Sequence, residues 1–209
     1  MDISTASMST PLLELVRLNK EHVPGYFEVW KDPFATRWSS HGPCHTLADA
    51  EQWMSELLQD VNPKGENYAV ILRSDLDDSV LGSLKQKRQD MHLSADFITP
   101  GAFLGWIGTW KSDPVPEVGF ILHREAWGLG FATEALTAFV DLFWRVRPEF
   151  SILEAWCDTE NEASAKVLRK CGFDLVETAY GDYSLSWMTP PLRNSMRFQA
   201  TREVITDSK

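Results

Sequence analysis

The chain has 209 residues, 44% of them hydrophobic, which fits one globular domain with a core of its own. Its formal net charge of −10 speaks against nucleic acid, whose phosphates need a basic face; it favours soluble cationic partners such as amines and basic peptides, or serves solubility alone. No apolar run nears the ~18 residues of a membrane span, and the Ser/Thr-rich first ten residues hold no hydrophobic signal core, so we expect a cytoplasmic protein with no membrane partner.

Residues 1–10 are expected to be disordered. Alternation over residues 12–18 predicts a strand with Leu12, Glu14, Val16 and Leu18 on one face, and residues 23–30 predict a short helix. Residues 32–45 form a loop rich in Pro, Gly and His. His41, Cys44 and His45 crowd together there, but no distant fourth ligand stands at metal spacing, so no metal is expected. The three cysteines, Cys44, Cys157 and Cys171, are an odd count and fit structural thiols in a reducing compartment better than a disulfide framework.

Thr46 and Asp49 make a capping-box-like start. Behind them Ala50, Trp53, Met54, Leu57, Leu58 and Val61 repeat at helical spacing, the pattern of a helix lying on the core. Residues 67–72 and 103–111 predict two strands of a hairpin, with Trp106 and Trp110 on one face of the second. Between them, residues 75–101 carry an acidic block (Asp75, Asp77, Asp78), a basic block (Lys85, Lys87, Arg88) and a Pro100-Gly101 exit. We expect this insertion to run as a peripheral excursion outside the core, with a short strand at residues 81–84 as the alternative.

The richest stretch follows. An apolar strand at residues 118–122 leads through a polar turn into Trp127-Gly128-Leu129-Gly130-Phe131-Ala132-Thr133, and an amphipathic helix opens behind it. Its stripe is Ala132, Ala135, Leu136, Phe139, Val140 and Phe143, and Glu134 in the first turn complements the helix N-terminus. Two glycines permit a tight turn and close approach of a ligand, and the unpaired N–H groups of the first helical turn suit a phosphate. The spacing is neither a Walker loop, since no Lys follows Gly130, nor a dinucleotide fingerprint, since Thr133 stands where a third Gly is required. A turn that merely connects strand to helix is the alternative. Residues 152–157 predict a further buried strand, then Asn161, a helix over 162–170 and Cys171-Gly172-Phe173. Residues 175–178 and 195–201 are candidate terminal strands around a loop at 187–194, and residues 204–209 are expected to be a flexible tail.

The order strand, W-G-x-G-F-A-T-E-A, helix, strand, N-x-x-S-x-x-V-L-x-K-x-G-F resembles the GNAT acetyltransferase superfamily, in the branch that includes the ribosomal-protein N-acetyltransferases. The resemblance is specific over residues 117–173. It implies one domain over residues 11–203 of the GNAT type: α/β, with a mixed, partly splayed sheet flanked by helices. It implies direct transfer of an acetyl group from acetyl-CoA to a primary amine, without a covalent enzyme intermediate and without a metal. The acceptor is then a small-molecule amine or a peptide N-terminus, and the protein a monomer or homodimer.

By the same resemblance Trp127, Gly128, Leu129, Gly130, Phe131, Ala132 and Thr133 hold the pyrophosphate, with Trp127 where the general pattern has Gln or Arg. The pantetheine arm runs along the 118–122 strand past Phe120 and Ile121. Asn161 and Ser164 match the second cofactor motif, although Asn161 is also a plain helix N-cap. Glu117 is the expected base, with Glu154 on the neighbouring strand as runner-up; a strand-end surface carboxylate is the other reading of Glu117. Leu168 stands where many relatives carry a Tyr as general acid, which leaves thiolate protonation to Ser164, to water or to nothing specific, and keeps open a non-catalytic acyl-CoA-binding sensor. Several of the nine Trp fall where this fold places a cleft. Trp38, His41, Trp106 and Trp110 are expected on the acceptor side.

Overall fold

The computed structural model describes residues 7–202. Its strands are β1 (Met8–Ser9), β2 (Leu13–Arg17), β3 (Asn67–Leu72), β4 (Phe103–Lys111), β5 (Glu117–Leu122), β6 (Ile152–Asp158), β7 (Asp174–Ser184) and β8 (Leu192–Thr201), and its helices are α1 (Val23–Trp30), α2 (Leu47–Ser55), α3 (Asp78–Asp90), α4 (Phe131–Val146) and α5 (Glu162–Lys170). The strands form one sheet in the order 1-2-3-4-5-6-8-7. All neighbours are antiparallel except β5 and β6. That mixed, helix-flanked sheet is the expected architecture.

Alternation along β3 decides what each face of the sheet covers. Tyr68, Val70 and Leu72 join the larger core, which takes the buried faces of α3, α4 and α5. Ala69, with Ile71 packed alongside, joins the smaller core beneath α1 and α2. Thr46 caps α2 by accepting the Asp49 N–H at 3.1 Å, and the Asp49 carboxylate takes the Thr46 N–H at 2.8 Å, so the capping box is complete. Leu57 and Leu58 are buried as their spacing predicts, but the helix has ended by then and Val61 is 61% exposed.

The insertion between β3 and β4 differs from expectation. Residues 78–90 are neither an excursion nor a strand but α3, whose start Asp77 caps by accepting the Ser79 and Val80 N–H groups. Leu81 and Leu84, three apart, enter the larger core, and Ile98 follows them. Asp78 and Lys87 lie on the solvent side of this helix, whereas Arg88 of the basic block is buried beside the two leucines that anchor it. The terminal strands are also longer than predicted, and residues 192–194 belong to β8 rather than to a loop. Of the expected disordered start and flexible tail, residues 1–6 and 203–209 lie outside the described residues; Met8–Ser9 pairs with β2.

Candidate active site

β5 and β6 meet in register at one pair, Glu117 opposite Glu154, where the Glu154 N–H also reaches the Pro116 carbonyl at 2.9 Å. Beyond that pair the two parallel strands part. A cleft of about 810 Å3 opens between them, with Val118, Phe120 and Ile121 on one wall and Ala155, Trp156 and Asp158 on the other. The same cleft takes in Glu117, Glu154, Asn161, Ser164, Trp38, Trp106 and Trp110. Nine of the residues singled out from sequence therefore come together, although they span residues 38–164.

The glycine turn lies outside this lining and offers backbone instead of side chains. Gly128 and Gly130 have φ of 80° and 90°, the left-handed region in which a Cβ is strained. Gly130 is the N-cap of α4, and the first intrahelical bond runs from the Glu134 N–H to its carbonyl at 3.1 Å. The N–H groups of Phe131, Ala132 and Thr133 precede that bond. A Cβ placed on Gly130 would meet nothing within 4 Å, so the approach to these donors is open. Leu129 and Phe131 turn their side chains into the core. Trp127 folds back and donates its indole N–H to the Leu122 carbonyl at 3.0 Å, which ties the turn to the end of β5. A pyrophosphate fits such a cradle, since its recognition needs backbone donors and the positive end of a helix rather than particular side chains.

Asn161 is the helix N-cap that its position predicts. Its side chain accepts the Ser164 N–H at 3.2 Å as the N-cap of α5, and it lines the cleft. Leu168, also on α5 and on the lining, is 1% exposed and presents only hydrocarbon. His41 is not on the lining. It stacks on Trp53 with ring centroids 4.2 Å apart and meets Trp30 edge-on at 5.8 Å, so it supports the aromatic wall from behind.

Sequence reasoning missed what β7 and β8 contribute. Tyr183, Asp182, Ser195 and Arg197 all reach the cleft. The Tyr183 hydroxyl donates to Asp158 at 2.6 Å, and Arg193 clamps the same carboxylate at 2.8 and 3.0 Å. Burial pushes the Asp158 carboxyl up, but the bonds from Arg193 and Tyr183 outweigh it and hold the group below the ordinary carboxylate range. Burial and the Asp158 carboxylate raise the Tyr183 phenol well above its usual value. Glu154 is engaged in the same manner. Its Oε1 accepts from Arg197 at 2.9 Å and from Gln199 at 2.7 Å, and Arg197 also pairs with Glu177. The carboxylates Glu154 and Asp158 thus enter the cleft with their charge already matched. Among the described residues, no group of three His, Cys, Asp or Glu side chains is placed to hold a metal, and no helix is long and apolar enough to cross a membrane.

The fold has parallels among known proteins. A family model described as an acetyltransferase (GNAT) domain matches residues 13–174, and the chain belongs to that family. It is an acetyltransferase, and acetyl-CoA is its acetyl donor. The chain is 22% identical to the uncharacterized N-acetyltransferase p20 of Bacillus licheniformis over 169 residues, 80% of this chain and 82% of that protein. Among solved structures it resembles a GNAT acetyltransferase of Bacillus anthracis with a TM-score of 0.70 at 14% identity, covering 94% of this chain and 98% of that one. It also resembles RimL, a ribosomal alpha-N-protein acetyltransferase solved with coenzyme A, with a TM-score of 0.69 at 13% identity and coverage of 94% and 98%.

Proposed function

We propose that the chain transfers the acetyl group of acetyl-CoA directly to a primary amine while both are bound. The observation that carries this is the parting of β5 and β6 just past Glu117 and Glu154. It joins, in one cleft, a strand edge that can take the pantetheine arm to a wall of indoles that can take an acceptor. The donor's pyrophosphate lies on the N–H groups at 131–133, and its arm passes Phe120, Ile121, Asn161 and Ser164. The β5 edge beyond Glu117 has no β6 partner, so its main-chain groups are available to the arm and to the thioester carbonyl.

The acceptor must arrive as an ammonium and react as an amine. Glu117, on the cleft at the point of parting, accepts that proton directly or through one water. Glu154 is the weaker choice because Oε1 already serves two donors. The freed nitrogen attacks the thioester carbonyl carbon, the C–S bond breaks, and the thiolate leaves with the electron pair. Leu168 can give it no proton; the thiolate takes the proton that the attacking nitrogen sheds as the amide forms, relayed by Ser164 or water.

The acceptor is an amphipathic amine, either a small molecule or a peptide N-terminus. Trp30, Trp38, Trp53, Trp106 and Trp110 supply flat apolar faces on its side of the cleft, and such faces also attract ammonium groups. RimL, which shares the fold, is named for action on a protein N-terminus, and that favours the peptide arm. The test is thiol release from acetyl-CoA across arylalkylamines, polyamines, amino acids and short peptides. Turnover that favours apolar or aromatic amines supports the reading. Binding of acetyl-CoA without turnover of any amine overturns it.

A further inference from the structure

Arg88 lies near the end of α3, the inserted helix, and is 3% exposed. Its Nε donates to the Ser94 carbonyl at 3.0 Å, and its Nη1 reaches the Trp127 carbonyl at 3.4 Å. Among the described residues no carboxylate comes within ion-pairing distance of it. The other interior arginines are matched: Arg193 pairs with Asp158 and Glu160, and Arg17 and Arg147 share Glu66. A guanidinium cannot shed its proton, and a buried charge without a counter-charge is costly. Carbonyl dipoles meet part of that cost.

The glycine turn is where a counter-charge to Arg88 would fit. The carbonyl that Arg88 holds belongs to the first residue of the glycine turn, and residues 127–133 bring no charged side chain of their own. Met91, at the C-cap of α3, packs under the turn, with its sulfur 3.1 Å from where a Gly128 Cβ would stand. Arg124, the nearest base before the turn in sequence, is spent on Asp32.

We infer that Arg88 is a positioning residue for the donor's pyrophosphate. It fixes the Trp127 carbonyl, and through it the backbone from Gly128 to Gly130, and it sets a positive charge behind the N–H groups that face the phosphates. The inserted helix is therefore part of the donor site. This rests on the pyrophosphate site proposed above.

Calorimetry on the full chain tests it, with CoA, dephospho-CoA and S-acetylpantetheine as ligands and Arg88→Met, Arg88→Lys and Gly130→Val as variants. Arg88→Met should weaken CoA and dephospho-CoA alike by about tenfold, the scale of one charge-assisted contact. It should leave S-acetylpantetheine unchanged and flatten the salt dependence of CoA binding; Arg88→Lys should recover most of the loss. Arg88→Gln repeats the comparison if Arg88→Met does not fold. An equal loss for all three ligands makes Arg88 a structural staple and overturns the proposal, as does no loss at all. If Gly130→Val also leaves CoA affinity untouched, the pyrophosphate site itself is misplaced; if Gly130→Val abolishes it while Arg88→Met does not, only the role of Arg88 falls.

Discussion

Glu117 and Glu154 stand opposite each other at the one position where β5 and β6 are in register, and the cleft begins immediately beyond them. Glu154 is held by Arg197 and Gln199. The proposed function gives the acceptor's proton to Glu117. Glu117→Gln should lower kcat/KM by roughly 10²-fold, the usual scale for losing an acid–base group, with CoA affinity little changed. A wild-type rate across pH 6–9 would reassign the role.

Gly130→Val forces a β-branched residue into a left-handed conformation, at a cost of about 1–2 kcal/mol. No atom crowds the position, so the fold should survive. The new side chain would stand in the open approach to the N–H groups of α4. Thermal unfolding should shift by only a few degrees while CoA binding falls steeply; a variant that keeps its CoA affinity would refute the site.

Asp158 links the cleft to stability. Its folded carboxyl lies below the ordinary range, so the unfolded chain binds the proton more readily. The stabilisation is complete above the unfolded value of about 4 and is lost as pH falls through the lower folded value. Asp158→Asn strips Arg193 of its main partner and should cost about 3–5 kcal/mol at neutral pH, the scale for breaking a buried pair. Urea midpoints between pH 7 and pH 3 should show a shallower decline in that variant than in the parent.

Burial pushes the Cys157 thiol up to about 12, although the residue lines the cleft. At pH 8 it should resist iodoacetamide in the native protein and react on unfolding, because only the thiolate attacks. Rapid native alkylation mapped to Cys157 by mass spectrometry would contradict the burial that sets its proton affinity.

The elements that could be read in advance carry their own punctuation. Residues 23–30 and 67–72 have the predicted bounds, and Thr46 announces α2 through its capping box. α3 was hidden because two leucines and one arginine among thirteen residues make a poor apolar stripe. β7 was hidden because it is an edge strand exposed along nearly its whole length, so it has no alternation to read. The site divides along the same line. The glycine turn and Asn161 are local signals. Tyr183, Asp182 and Arg197 reach the cleft only through pairing of β7, β8 and β6, which no window of sequence contains.

Glu134, in the first turn of α4, accepts hydrogen bonds from the Thr10 hydroxyl at 2.5 Å and from the Leu12 N–H at 2.8 Å. The helix that opens at the glycine turn is therefore moored, on its flank, to the segment that joins β1 to β2. Removing residues through Thr10 takes away one of these bonds and should show up as weaker CoA binding. Comparisons between preparations need a shared N-terminus before any difference in donor affinity is assigned to the cleft.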